Sequence, residues 1–241
     1  MPLVHRPVGA ELREEMLTID CEVRPFRYDA AGEAPVRGFL HVPANASGDG
    51  MILTHGAGAN CQSPLLVALA NAFCEAGVTV LRCDLPFRQL RPHGPPPRGS
   101  AERDQQGLRR AVDSIRQIVS GRVFLGGHSY GGRQGTLLAA SAPAVVEGLL
   151  LLSYPLHPPK RPTELRTAHF PKLSTPALFV SGTRDGFGTI EELTAALKLI
   201  PTRTQLVAIQ GAGHELMSKR NAAEVPAAVK NAFTEMFRSA R

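Results

Sequence analysis

Apolar and polar residues partly alternate at two places early in the chain, Thr18 to Tyr28 and Val36 to Val42. This period of two predicts an antiparallel hairpin at a sheet edge, turned through Asp29-Ala30-Ala31-Gly32. From residue 50 the pattern changes. Short apolar runs at Met51–Leu53, Val78–Arg82, Val123–Leu125, Gly148–Leu152, Ala177–Val180 and Thr204–Ile209 predict buried strands. Stretches with helical spacing alternate with them: Pro64–Glu75, Ala101–Val119, Arg133–Ser141, Thr189–Leu199 and Asn221–Phe237. Pro64 suits a first helical turn, Gly77 a helix end, and Pro201 stops the helix before it. Strands alternating with helices predict an α/β fold: a mostly parallel sheet of about eight strands, covered by helices on both faces.

Two segments break the alternation. Leu85–Gly99 is rich in proline and arginine, and Pro155–Pro176 is rich in proline and histidine. Both leave the C-terminal ends of predicted parallel strands, the edge where open α/β sheets bind ligands. The second is too short for a large lid and reads as a small cap-like excursion. With 241 residues, 43% of them hydrophobic, the chain fits one domain over residues 1–241 with a full core.

The chemistry concentrates in Gly126-Gly127-His128-Ser129-Tyr130-Gly131-Gly132, between an apolar strand and a helix. Gly127-x-Ser129-x-Gly131 in that context is a nucleophile elbow. The tight turn strains the central residue, and side chains two before and two after it would collide. A serine hydroxyl needs a base, and the base needs an orienting acid. His214, in Gly211-Ala212-Gly213-His214 past the last strand, is the expected base. Asp185, past the preceding strand, is the expected acid. Asp84 also ends a strand, but its place in the chain order assigns it a structural salt bridge, with Arg133 as a candidate partner. His55 and His128 flank glycines at strand ends and are expected to hold their loops. The oxyanion donors are expected to be the N–H groups of Tyr130 and Ala57, in His55-Gly56-Ala57-Gly58. Gly58, Leu85, Pro86, Phe87, Tyr154 and Phe187 are the expected substrate-binding walls. Arg88, Arg91, Arg98, Lys160 and Arg161 leave strand ends near this site and are either solvated surface charge or a rim that attracts anionic substrates.

Charge and cysteine content narrow the classes. The net charge is +6, but Lys and Arg are scattered without aromatic interleaving, which argues against nucleic-acid binding. No stretch is long and apolar enough for a membrane span, and the acidic segment Met1–Asp20 is neither a signal nor a transit peptide. Cys21, Cys61, Cys74 and Cys83 form no CxxC pair and suggest no disulfide framework, so the expected compartment is a reducing cytoplasm. No metal or nucleotide motif appears, and no cofactor is expected. The edge hairpin leaves either a monomer or a homodimer.

These motifs resemble the α/β-hydrolase superfamily over residues 18 to the end, within its lid-poor dienelactone-hydrolase-like branch. Thr54–Gly58, Asp84–Phe87, Tyr154–Pro159 and Gly182–Gly188 are similar to a narrower group, the predicted hydrolases related to a subunit of the non-specific-lethal chromatin complex. The resemblance implies the triad Ser129, Asp185 and His214 and no cofactor. It departs from dienelactone hydrolases at the nucleophile, where they carry cysteine and this chain carries Ser129. The expected activity is hydrolysis of a small ester, thioester or lactone through an acyl-enzyme. The alternative is a non-catalytic interaction or scaffold module on the same fold.

Overall fold

The computed structural model describes residues 21–29 and 34–238. Among the described residues eight strands form one sheet: β1 (Cys21–Tyr28), β2 (Val36–Pro43), β3 (Gly50–Thr54), β4 (Thr79–Cys83), β5 (Val123–His128), β6 (Gly148–Leu152), β7 (Ala177–Gly182) and β8 (Thr204–Ile209). Their spatial order is β1-β2-β4-β3-β5-β6-β7-β8. β1 pairs antiparallel with β2 and β2 antiparallel with β4; from β4 onward all pairings are parallel. The sheet is open, with β1 and β8 at its edges. The predicted hairpin is therefore present. Of the expected turn Asp29–Gly32, residues 30–32 lie outside the described residues, as does the acidic segment before residue 21.

Among the described residues, five α-helices lie between strands, α1 (Pro64–Glu75), α2 (Pro86–Leu90), α3 (Ala101–Arg116), α4 (Tyr130–Ser141) and α5 (Ile190–Leu197), and α6 (Glu224–Met236) follows β8. Alternate residues of each buried strand feed two cores. Met51 and Leu53 of β3, with Phe124, Leu150 and Leu178, pack on Leu66, Leu69 and Phe73 of α1 and on Val229 and Phe233 of α6. Ile52, Leu125, Leu149 and Phe179 face the opposite way, onto Leu108 and Val112 of α3, Leu138 of α4 and Leu193 of α5. At about 25 cal/mol per Å² of apolar surface, two such layers are the main favourable contribution to folding. α1 ends where Gly77 takes φ +87°, and α5 begins in a capping box between Thr189 and Glu192.

Leu85–Gly99 contains the short helix α2, hidden from sequence reading because five residues carry no helical period. Pro155–Pro176 is irregular apart from a single 3₁₀ turn, Phe170–Lys172, and inserts Leu156, Phe170 and Leu173 into the core.

The structure corrects the reading of the cysteines. Cys21 of β1 and Cys74 of α1 are joined by a disulfide, while Cys61 and Cys83 are free and buried. The pair is 53 residues apart in the chain and meets because α1 packs beneath the hairpin, which no local spacing announces. The cross-link removes the support that cysteine usage lends to a reducing compartment. In denaturant without reductant, a thiol reagent is expected to count two thiols, rising to four after reduction. Four before reduction would contradict the cross-link. Among the described residues no helix is long and apolar enough to cross a membrane.

Candidate active site

The elbow between β5 and α4 holds Ser129 at φ 49° and ψ −112°, a strained conformation for any residue with a side chain. Its glycines are there because backbone comes too close. A Cβ on Gly127 would lie 2.4 Å from the Gly132 nitrogen, and one on Gly131 2.5 Å from the His55 carbonyl oxygen. The turn is pinned to the neighbouring strand by the Ser129 N–H, which donates to the Leu152 carbonyl at 2.8 Å.

Ser129 Oγ lies 2.8 Å from His214 Nε2, and His214 Nδ1 lies 2.9 Å and 3.0 Å from the two carboxylate oxygens of Asp185. An ionised carboxylate only accepts, so Nδ1 carries the proton, and Nε2 is left to accept from the serine hydroxyl. The Asp185 side chain is 1% exposed, and its Oδ1 also accepts from the Phe187 N–H at 2.9 Å. The Phe187 ring stacks on the His214 imidazole with centroids 4.1 Å apart. On the other side, His128 Nε2 donates to the His214 carbonyl oxygen at 2.9 Å, fixing the loop that carries the base. Burial is the leading cause that lowers the His128 pKa, so its ring is neutral and acts as a tether.

The expected oxyanion donors flank Ser129, one in the chain and one in space. Tyr130 is the first residue of α4, so its N–H has no intrahelical acceptor and sits at the positive end of the helix dipole. In the loop after β3, the Gly56 carbonyl accepts from His55 Nδ1 at 2.8 Å and from the Ala59 N–H at 3.2 Å. In a trans peptide the Ala57 N–H then points the opposite way.

Buried Arg88 holds this loop. Its guanidinium donates to the carbonyls of Ala57 (2.7 Å), Ala59 (2.8 Å), Arg91 (2.9 Å) and Gly94 (3.0 Å). Arg88 is thus engaged with backbone and is no part of an anion-attracting rim, and Arg161 is paired with Glu164 at 3.0 Å. Asp104 of α3 is a second anchor. It is buried, accepts from the Phe87 N–H at 3.0 Å and the Tyr130 hydroxyl at 2.8 Å, and has its pKa raised chiefly by burial. A signal for Asp104 existed in the sequence, because it falls on the apolar stripe of α3 with Leu108, Ala111 and Ile115. Arg88 had no such signal.

Gly56, Ala57, Gly58, Ala59, His128, Ser129, Phe187, His214 and Glu215 enclose a cavity of about 330 Å³. Gly58 and Phe187, two of the expected substrate walls, line it, as does Ala57. Leu85, Pro86, Phe87 and Tyr154 do not. All four are buried in packed core, with the Phe87 ring against Tyr130 and Tyr154 against Phe170. They reach the strand ends in sequence, but their side chains turn inward to close the layer beneath the site. Asp84 also departs from expectation. Its carboxylate accepts from the Cys61 N–H at 2.7 Å and lies 3.5 Å from His55 Nε2, so its partner is not Arg133. A wider depression of about 760 Å³ follows residues 210–221 past His214, but Ser129 does not line it. Among the described residues no group of three or more His, Cys, Asp or Glu side chains is placed to hold a metal ion.

A family model described as an alpha/beta hydrolase domain matches residues 48–239. Among solved structures, a dienelactone hydrolase from Anabaena variabilis is 25% identical, with a TM-score of 0.65 over 88% of this chain and 97% of that one. Est1E from Butyrivibrio proteoclasticus is 20% identical, with a TM-score of 0.71 over 89% and 99%. An α/β serine hydrolase without lid from Xanthomonas campestris is 17% identical, with a TM-score of 0.72 over 91% and 97%.

Proposed function

The chain belongs to the alpha/beta hydrolase domain family, and from that premise we propose that it is a serine hydrolase of small esters, thioesters or lactones. The observation that carries the reading is the unbroken hydrogen-bonded chain from Ser129 Oγ through His214 to Asp185. Ser129 Oγ attacks the acyl carbon as His214 Nε2 takes its proton. The carbonyl π electrons move onto oxygen, and the N–H groups of Tyr130 and Ala57 hold the resulting oxyanion. Collapse of the tetrahedral intermediate expels the alcohol, thiol or ring oxygen, which His214 protonates. Water, deprotonated by His214, then releases the acid and restores Ser129. Asp185 keeps the imidazole in the right tautomer and stabilises the imidazolium. Arg88 and Asp104 act as positioning residues, one holding the peptide planes of the Ala57 loop and the other the Tyr130 side chain.

The narrower kinship with the predicted hydrolases related to the chromatin complex is carried by the sequence motifs alone and adds no substrate. The similarity to a dienelactone hydrolase suggests lactones among compounds to try. The cavity of about 330 Å³ and the short excursion 155–176 favour compact acyl groups. Across p-nitrophenyl acetate, butyrate, octanoate and laurate, kcat/KM is expected to fall at least about ten-fold from butyrate to laurate, because the longer chain gains no buried contacts in the transition state. Faster turnover of laurate would contradict the compact-acyl assignment. Absence of Ser129-dependent turnover across these esters, matched thioesters and lactones would contradict the hydrolase reading.

A further inference from the structure

A second cavity, of about 340 Å³, lies between α4 and the excursion 155–176, away from the elbow cavity. Arg133, Arg166 and Lys172 line it together with His169, Leu137 and Leu165, and no carboxylate lines it. None of its lining residues is shared with the cavity that contains Ser129.

The cations stand on a fixed frame. Arg166 donates its N–H to the Leu156 carbonyl at 2.8 Å, and its own carbonyl accepts from the Tyr154 hydroxyl at 2.7 Å. Lys172 closes the 3₁₀ turn by donating its N–H to the His169 carbonyl at 3.0 Å. Arg133 is one helical turn from the elbow, with its N–H on the Ser129 carbonyl at 3.0 Å. Thr136 gives its hydroxyl hydrogen to the Arg133 carbonyl at 2.8 Å and so accepts from His169 Nε2–H at 2.8 Å. The imidazole is thereby oriented as well.

The charge in this cavity is poorly compensated. Arg133 Nε is buried and has no hydrogen-bond partner among the described residues. Arg166 Nη1 donates to the Pro155 carbonyl at 3.3 Å, and the carboxylate it feels, Glu164, is already paired with Arg161. Burial and then the nearby Arg133 bring the His169 pKa down to about 4, so positive charge already disfavours a further proton there. A buried N–H donor without an acceptor is costly unless something supplies one. Leu165 is 51% exposed at the mouth, a large apolar side chain beside the cations.

We propose that this cavity is a binding site for a small anionic amphiphile, whose carboxylate or phosphate head takes Arg133, Arg166 and Lys172 and whose aliphatic neck lies on Leu137 and Leu165. Guanidinium donors suit the planar, multi-oxygen head. The site is independent of acyl chemistry at Ser129.

Calorimetric titration of the Ser129→Ala protein with hexyl phosphate, hexanoate and hexanol tests it without turnover. At least one anion is expected to bind ten-fold or more tighter than hexanol, and the better of the two identifies the head group. Lys172→Gln changes an exposed rim residue, and Arg133→Gln a side chain whose Nε has no partner to lose. Each is expected to weaken the anion at least ten-fold with Tm unchanged. In the unsubstituted protein, the His169 ring is expected to titrate above its free midpoint when the anion is saturating, read by imidazole NMR. Equal affinity for hexanol and both anions overturns the proposal. So does anion binding that survives both substitutions, which would place the anion elsewhere.

Discussion

Ser129→Ala is expected to lower kcat by about 10⁴- to 10⁶-fold on any ester the native protein hydrolyses, with little change in KM. The hydroxyl is the atom that forms the bond, and no neighbouring side chain of the elbow cavity offers a substitute nucleophile in hydrogen-bond contact with His214. His214→Ala is expected to cost about as much, because an unactivated hydroxyl beside an oxyanion hole is a weak nucleophile. The double variant is expected to lose no more than either single one, since both residues serve one step. Steady-state kinetics of the four proteins on p-nitrophenyl butyrate provide the measurement. Losses that multiply in the double variant would show that Ser129 and His214 act separately, and the hydrogen bond of 2.8 Å between them would not be the working contact.

Gly127→Ala is expected to destabilise the fold by about 3–5 kcal/mol or to prevent folded protein from accumulating. The new methyl would stand 2.4 Å from the Gly132 nitrogen and 2.6 Å from the Gly131 carbonyl carbon. Both are backbone atoms in the first turn of α4, so no side chain can rotate aside. Relief requires α4 to move off β5, and Leu138 and Ala139 of that helix are part of the core. Gly186→Ala is the matched control. It lies beside Asp185 with nothing within 4 Å of a new Cβ, and its change in stability is expected to stay within about 0.5 kcal/mol. Urea unfolding of both variants makes the comparison. A Gly127→Ala protein within 1 kcal/mol of native stability would mean that the elbow is looser than its geometry here.

The fold and the Ser129–His214–Asp185 arrangement were legible because both rest on local patterns that survive without tertiary information. Six apolar runs marked the parallel strands. Gly127-x-Ser129-x-Gly131 marked a turn that only glycines allow, and loops past consecutive strands carried Asp185 and His214 to one sheet edge. What depended on the third dimension was not legible. Arg88 reads as a surface cation in a proline-rich loop, yet four backbone carbonyls in two loops converge on it. Leu85, Phe87 and Tyr154 leave strand ends as pocket residues would, but the direction of a side chain at a strand end is set by the helix beneath it. The Cys21–Cys74 pairing depends on how an edge hairpin lies over α1. Arg133 looked like a partner for Asp84 one turn into α4, and instead faces the opposite loop.

Reaction of the folded protein with a fluorophosphonate, read by intact mass and peptide mapping, tests the central claim most directly. One adduct is expected, on Ser129, absent from both Ser129→Ala and His214→Ala. Such a probe needs an activated hydroxyl and an oxyanion site together, so labelling reports the assembled geometry without knowledge of the substrate. A folded native protein that stays unlabelled, or one labelled elsewhere, would mean that Ser129 is not an activated nucleophile and would favour an interaction module built on a hydrolase fold.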